Sequence, residues 1–387
     1  MLFGFPTPRK WACGGHTPAL GFKEKQKGEN TVLEVKKKLM TAVSILVLSL
    51  TGMPQAQAAS VFTGSERVIY FLDVSNSSDS QKLWTLLRAS LLEKVDVALG
   101  YPKRPGIAIP MKPTDLSVSV INDNSQAAEI VEVLSIKDAE AIWGLIINRV
   151  GGGNPTGARL KAISEDFFGS TGTYSLLVAE YALQNELTTP SIADCQKRAN
   201  LQFSKGNFMD NVSPSLRSDA SKETCRVIIK LLKGVKSADD LFKANKCAKN
   251  TACSDVIGAV KRTVAVTADL ARTATPKNSP KLCVAIASDM LNAYPGMSAT
   301  SAWHTVNAVK KSASASEAEA LGRQVAEEAS IKFNPKVQIR VEVIGQGASR
   351  GFPRELTSKL DSYWSGFWTT AGIKTSSQRA SLDQACK

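Results

Sequence analysis

Two acidic residues in this sequence each end an apolar, strand-like run, and the first of them opens an Asp-x-Ser-x-Ser motif. Asp73, Ser75 and Ser77 follow the apolar run Val68–Leu72, while Asp289 ends a second run of the same kind. Carboxylate and hydroxyl oxygens are the hard ligands that Mg²⁺ and Mn²⁺ prefer in proteins. The types and spacing of these residues therefore predict a divalent-cation site, provided that the two strand ends meet.

The elements that must bring these residues together are predicted from hydrophobic periodicity. Continuous apolar runs are typical of strands buried on both faces of a sheet, and period-two alternation is typical of strands buried on one face. Strands predicted in this way cover 66–73, 116–121, 130–134, 281–289 and 337–343. Helical spacing between them argues for an α/β fold, an open and mostly parallel sheet with helices on both faces. Such sheets bind ligands beyond the C-terminal ends of their strands, which is where Asp73 and Asp289 stand.

This combination of residues resembles the von Willebrand factor type A (VWA) domain family, which includes the integrin inserted domains and has a Rossmann-like fold. The family's metal-ion-dependent adhesion site (MIDAS) combines an Asp-x-Ser-x-Ser motif after the first strand, a Thr from a later loop and an Asp after the fourth strand. In this sequence Ser254 stands in the place of the Thr, and Thr251 and Thr173 are the alternatives. The metal ligands implied by the resemblance are Asp73, Ser75, Ser77, Ser254 and Asp289.

The resemblance implies a binding function and not catalysis. In the family, a bound Mg²⁺ or Mn²⁺ keeps one coordination position for an Asp or Glu carboxylate of a partner protein. A first alternative is a metal-free secreted scaffold, in which Asp73 and its serines only cap the following helix. A second alternative is a Mg²⁺-dependent aspartate-nucleophile phosphatase. That mechanism needs a second acid two residues after the nucleophile, where this chain has Ser75.

The N-terminal segment has the features of an export signal. Lys36–Lys38, the apolar run 39–50 and the small-x-small sequence that ends at Ala58 form the three parts of a signal peptide. The apolar run is too short to span a bilayer. We therefore expect a signal peptide over 36–58, cleaved near Ala58, and export to the periplasm or the outside of the cell. Residues 1–35 precede this signal and are interpreted as a mis-assigned N-terminal extension.

The middle of the chain differs in its hydrophobic periodicity from the predicted sheet. Helical spacing dominates there, and we interpret 123–249 as a mostly helical, disulfide-containing insertion. The insertion would divide the VWA-like domain into a first part over 59–122 and a second part over 250–376. A C-terminal tail over 377–387 follows. The resemblance leaves the role of the insertion open.

Composition limits the partners and the compartment. Without its first 58 residues the chain has a formal charge of +8, which is compatible with an acidic partner. Two histidines exclude a histidine-rich zinc site, and 6% aromatic residues are few for a protein that stacks on single-stranded nucleic acid. Six cysteines remain, and an even number in an exported chain indicates disulfides whose pairing the sequence leaves open. They are Cys195, Cys225, Cys247, Cys253, Cys283 and Cys386.

Overall fold

The computed structural model of the protein describes most of the chain between the first predicted strand and the C-terminus. The described residues are 66–75, 82, 84–88, 114–145, 177, 181, 189–203, 213–245, 247, 252–275, 278–348, 352–373, 376–377 and 385–386. All of them belong to the compact unit Ala58–Lys387. The predicted signal peptide and N-terminal extension lie outside the described residues and stay predictions.

In the described part of the chain, six strands form one sheet in the order β3-β2-β1-β4-β5-β6. The strands are β1 (Glu66–Asp73), β2 (Thr114–Ile121), β3 (Val131–Leu134), β4 (Lys281–Ala287), β5 (Gln338–Ile344) and β6 (Ser376–Ser377). Neighbouring strands pair in parallel, except that β2 and β3 are antiparallel. The predicted α/β fold with a mostly parallel sheet is therefore confirmed. Because β1 pairs with β2 on one side and with β4 on the other, the strand order reverses between β1 and β4. Open α/β sheets bind their ligands at such a switch point.

Seven α-helices are described in full. They are α1 (Ile136–Leu145), α2 (Ile192–Phe203), α3 (Pro214–Ala244), α4 (Val256–Ala271), α5 (Thr305–Lys311), α6 (Ala315–Glu328) and α7 (Thr357–Ala371). Short 3-10 turns cover Ser125–Ala127 and Arg354–Leu356. None of the helices in the described part of the chain is long and apolar enough to cross a membrane.

Alternate side chains of β1 enter two separate hydrophobic cores. Tyr70 and its neighbours of the same parity pack in a core with α3, whereas Phe71 packs in a core with α4, α6 and α7. Both side chains are at most 1% exposed, and burial of one such side chain contributes about 1.5–3 kcal/mol. Slipping β1 by one residue would exchange the two faces, so the cores fix the register of the strand. This register holds Asp73 at the C-terminal end of the strand.

The range 123–249, predicted to be a mostly helical insertion, contains β3 as well as α1, α2 and α3. β3 pairs with β2, and the 31-residue helix α3 packs against both strands. Ser213 caps this helix by accepting a hydrogen bond from the Leu216 backbone N–H, and Pro214 occupies its first position. The range thus supplies one edge of the sheet and a helix that covers one of its faces. Its assignment as an insertion into a VWA-like domain stays a prediction.

The six cysteines lie in three pairs at disulfide distance. The Cα–Cα separations are 5.7 Å for Cys195–Cys225, 6.2 Å for Cys247–Cys253 and 5.7 Å for Cys283–Cys386. The first pair joins α2 to α3, and the third joins β4 to the end of the chain. The structure therefore supplies the pairing that the sequence left open. Three such pairs are compatible with an exported protein, because disulfides persist in oxidising compartments.

A charged network joins α1 to α3 beside the edge strand β3. The buried carboxylate of Asp138 accepts hydrogen bonds from Lys230 Nζ and Ser135 Oγ, each at 2.7 Å, and from the Arg226 guanidinium at 3.2 Å. Burial acts to raise the pKa of Asp138, but the hydrogen bonds from Lys230 and Ser135 outweigh it and hold this pKa below its usual range. The network therefore stabilises the ionised carboxylate.

Replacing Asp138 by asparagine tests this network. We expect Asp138→Asn to lower the free energy of unfolding near neutral pH by about 1–3 kcal/mol, because Lys230 and Arg226 lose a charged acceptor. Since the folded pKa lies below the unfolded pKa, the wild-type advantage is complete above the unfolded pKa. It is lost as the pH falls through the folded pKa. Urea denaturation at a series of pH values measures both effects.

Asp240→Asn is the matched control for this experiment. Asp240 pairs with Lys236 on α3, but its side chain is 59% exposed. We expect this variant to lose about 0.5 kcal/mol at most, because solvent screens an exposed pair. Equal losses for the two variants would contradict the structural role assigned to Asp138.

Candidate functional site

The carboxylate of Asp73 lies at the C-terminal end of β1 and is fully buried. Neutral groups of three serines donate hydrogen bonds to it: the Ser75 backbone N–H at 2.8 Å, Ser254 Oγ at 3.0 Å to each oxygen, and Ser288 Oγ at 2.6 Å. The Ser75 hydroxyl bonds it as well. These groups come from the loop after β1, the residue pair before α4 and the residue after β4. Burial raises the pKa of Asp73, and the hydrogen bonds offset only part of that effect.

Backbone pairing and a helix cap hold Ser254 in place. Its N–H donates to Ala293 O at 2.7 Å, and its own carbonyl accepts from the Ala293 N–H at 2.9 Å. The next residue, Asp255, donates its N–H to Asn122 O at 2.7 Å, just beyond β2. The Asp255 side chain then caps α4 by accepting from the Gly258 N–H at 2.9 Å. A Cβ at Gly258 would collide with the Asp255 carboxylate in its present position, so any other residue there would require that carboxylate to move.

The loop after β4 fixes the position of Asp289. The Asp289 carboxylate accepts a hydrogen bond from the Leu291 N–H at 3.1 Å, and its backbone carbonyl accepts from the Gly347 N–H at 3.0 Å. Met290 has a φ of 65°, the left-handed conformation that side chains other than glycine rarely adopt. Its carbonyl accepts a hydrogen bond from Trp364 Nε1 at 3.0 Å. Contacts from α7 and from the loop after β5 therefore stabilise an unfavourable backbone turn beside Asp289.

The structure brings most of the sequence-predicted residues to one place. Asp73, Ser75 and Ser254 are joined by direct hydrogen bonds, and Asp289 directly follows Ser288, which bonds Asp73. Outside the described residues lie Ser77 and the two alternatives to Ser254, which are Thr251 and Thr173. Coordination of a metal ion by any of these residues stays a prediction.

Ser288 is the residue that sequence reasoning missed. Its hydroxyl donates a hydrogen bond of 2.6 Å to Asp73, and it also accepts from the Met290 N–H at 2.9 Å. The signal was present in the register of the sheet: parallel pairing places Ala287 opposite Leu72, so the next residue of each strand faces the other. Identifying Ser288 in advance required knowing that β1 and β4 are neighbours.

The donor set at this site consists of carboxylate and hydroxyl oxygens. Such ligands suit a hard divalent cation and do not suit a metal that prefers sulfur or imidazole. Among the residues that the structure describes, no group of three or more His, Cys, Asp or Glu side chains could hold a metal ion. A cation at this site would therefore depend on the serine hydroxyls as well as on the two aspartates.

Comparison of the chain with protein-family models, with curated proteins and with solved structures finds no match. The resemblance to the VWA family accordingly rests on the residues of the motif and their order in the chain.

Opposite pH dependences are expected for Asp73 and Asp138, which are both buried. The raised pKa of Asp73 means that the folded state binds its proton more tightly than the unfolded state, so without metal the residue destabilises the fold increasingly as the pH rises above the unfolded pKa. Relative to wild type, Asp73→Asn should gain stability as the pH rises, whereas Asp138→Asn should lose it.

Chemical denaturation in chelator-containing buffer, from about pH 3 to neutrality, measures this difference. The wild-type protein is the reference at each pH, so titrations common to all three proteins cancel. A pH trend of the same sign for both variants would show that Asp73 does not hold a raised pKa in the fold.

Proposed function

We propose that this protein is exported and binds Mg²⁺ or Mn²⁺ at the C-terminal ends of β1 and β4, and that it uses the ion to bind an acidic residue of a partner protein. The observation that carries the proposal is the buried carboxylate of Asp73, to which Ser254 and Ser288 contribute hydroxyls from distant parts of the sequence. Three disulfide-distance pairs support the export part of the proposal.

The residues present fit a divalent cation of this kind. Asp73 is buried among neutral hydrogen-bond donors, and burial disfavours its charged form. A cation of opposite charge would favour that form, so metal binding and ionisation of Asp73 support each other. Hydroxyl donors can turn toward a cation and present their lone pairs to it. The residues that would hold the ion are Asp73, Ser75, Ser77, Ser254 and Asp289.

The proposed partner is recognised by its charge. A divalent cation bound at these oxygens supplies a positive charge that attracts an Asp or Glu carboxylate. The formal charge of +8 on the chain after residue 58 favours the approach of an acidic surface. Ser288 has a positioning role in this proposal, because its hydroxyl bonds one oxygen of Asp73, the Ser75 N–H bonds the other oxygen, and Ser254 Oγ bonds both.

A second candidate is a metal-free secreted scaffold. It is favoured by the same hydrogen bonds, since Asp73 joins the loop after β1, the start of α4 and the loop after β4 without help from an ion. In that case the cluster would have a structural role only, and would hold these three segments together at the switch point of the sheet. The two candidates differ in one measurable property, which is the affinity of the protein for Mg²⁺ or Mn²⁺.

Calorimetric titration of the processed protein with Mg²⁺ and with Mn²⁺ separates them. We expect binding heat in wild type and none in Asp73→Ala. The ion should also stabilise the fold, by about 2.7 kcal/mol at a concentration 100 times the dissociation constant. The absence of binding heat in wild type, or heat that Asp73→Ala leaves unchanged, would favour the scaffold.

Asp115→Asn is the matched control for the titration. Asp115 is a half-buried aspartate near the start of β2, at the opposite end of the strands from Asp73, where it accepts a hydrogen bond from the Ile136 N–H at 2.7 Å. An asparagine oxygen can still accept this bond. We expect wild-type heat from Asp115→Asn, so a general loss of affinity caused by lost negative charge would be visible.

A further inference from the structure

One of the three cysteine pairs lies directly beside the candidate cation site. Cys253 precedes Ser254, whose hydroxyl bonds both oxygens of Asp73. Its partner Cys247 lies three residues after the end of α3, and the two Cα atoms are 6.2 Å apart. A disulfide between them therefore connects the C-terminal end of α3 to the segment that carries Ser254.

Both ends of this bridged segment are attached to Asn122, the residue after β2. At one end, the Asn122 side-chain amide donates a hydrogen bond to Asn245 Oδ1 at 2.8 Å, and Asn245 is the C-cap of α3. At the other end, the Asp255 N–H donates to Asn122 O at 2.7 Å. The disulfide lies between these two attachments and shortens the covalent path that joins them. It therefore limits how far Ser254 can move relative to the end of α3.

The disulfide adds a constraint that the backbone contacts of Ser254 do not supply. Pairing with Ala293 ties Ser254 to the loop after β4. The disulfide ties the same residue to α3, which packs against β2 and β3. Without the disulfide the Ala293 contacts would persist, but the Ser254 hydroxyl would be held less firmly. A ligand group held less firmly loses more conformational entropy on binding, so we expect a lower affinity for the ion.

Loop length makes this the pair that the fold depends on least. Its two cysteines are 6 residues apart in the sequence, whereas those of Cys195–Cys225 and Cys283–Cys386 are 30 and 103 residues apart. The stabilisation that a cross-link provides grows with the length of the loop that it closes, because a longer loop loses more entropy in the unfolded chain. Opening the Cys247–Cys253 pair should therefore leave the protein folded.

Exposure also favours exchange at this pair. Thiol–disulfide exchange requires access to one of the two sulfurs. Cys247 is partly exposed, whereas Cys195 and Cys225 are both fully buried. Cys386 is partly exposed too, but its N–H bonds Glu342 at 3.0 Å, and its pair closes the longest of the three loops. Among the three pairs, Cys247–Cys253 thus combines access with the smallest effect on the fold.

We infer that formation of the Cys247–Cys253 disulfide raises the affinity of the cation site, so that the site is completed in the oxidising compartment to which the protein is exported. The inference rests on the proposed function, since it concerns the same ion. The oxidant is an external disulfide. The Cys247 thiolate attacks one sulfur of that disulfide, and the other sulfur leaves as a thiolate. The Cys253 thiolate then attacks Cys247 Sγ and displaces the remaining sulfur. The oxidant gains two electrons and the two cysteine protons and becomes two thiols.

Calorimetric titration with Mg²⁺ in buffers of oxidised and reduced dithiothreitol tests the inference. Mg²⁺ is the probe because thiols are poor ligands for it. We expect the oxidised, processed protein to bind Mg²⁺ about fivefold or more tightly than protein in which this pair is reduced. The variant Cys247→Ser/Cys253→Ser should bind as the reduced protein does in every buffer. Trapping with iodoacetamide, followed by peptide mass mapping, should show this pair opening before the other two.

A double-mutant cycle shows whether the disulfide acts through Ser254. Ser254→Ala should weaken Mg²⁺ binding when the disulfide is present. Replacing Cys247 and Cys253 in the Ser254→Ala protein should then weaken binding by no more than about twofold, because the residue that the disulfide positions has already lost its hydroxyl. Fully additive losses would overturn the positioning role of the disulfide.

Cys195→Ser/Cys225→Ser is the matched control, because it removes a disulfide between α2 and α3 that lies outside the segment carrying Ser254. It should bind Mg²⁺ within about twofold of wild type. Cys283→Ser/Cys386→Ser replaces it if melting curves show that the first control is unfolded at the titration temperature.

Three results would overturn the inference and leave the proposed function intact. They are equal Mg²⁺ affinity in oxidised and reduced wild type, equal weakening by the matched control, and opening of another pair before Cys247–Cys253. The absence of Mg²⁺ binding by the oxidised wild-type protein would instead overturn both the inference and the proposed function.

Discussion

The burial of one carboxylate constrains the structure at the C-terminal ends of the strands. An ionised carboxylate removed from water loses a large hydration free energy, so the fold must provide donors around it or keep it protonated. Asp73 receives these donors from Ser75, Ser254 and Ser288, which belong to three separate segments. Each segment must therefore be in its final place before the carboxylate is satisfied. The ends of β1 and β4 and the start of α4 behave as one unit for this reason.

Hydrogen bonds between the backbone of these segments and residues outside the site also hold the donors in place. Ser254 is paired with Ala293, and the turn at Met290 is bonded by Trp364 from α7. Such contacts allow a backbone conformation that costs free energy by itself to persist beside the site. A cluster supported in this way is preorganised, whether its role is to bind a cation or to join the segments.

The sequence predicted those parts of the fold and the site that depend on local pattern. The strand β1 and the acid at its end could be predicted, because a strand buried on both faces is a nearly continuous apolar run in the sequence. Ser254 was found from its order in the chain and its place before a helix. Ser288 was missed because its role depends on the pairing of β1 with β4, which no local pattern encodes. The cysteine pairs were undetermined for the same reason, since pairing depends on distance in space. The strand β3 within the predicted insertion became part of the sheet only through its pairing with β2.

The adjacency of β1 and β4 also affects the order in which parts of the sheet form during folding. Glu66 pairs with Lys281, so more than half of the chain lies between two strands that are neighbours in the sheet. Contacts between residues so distant in sequence form late, because the entropy of closing the loop must be overcome before they contribute. Until β4 is in place, the edge of β1 that faces it in the native sheet has unpaired N–H and C=O groups to which a strand of another chain can add. Because Ser288 directly follows β4, the Asp73 cluster is complete only when β4 has joined the sheet.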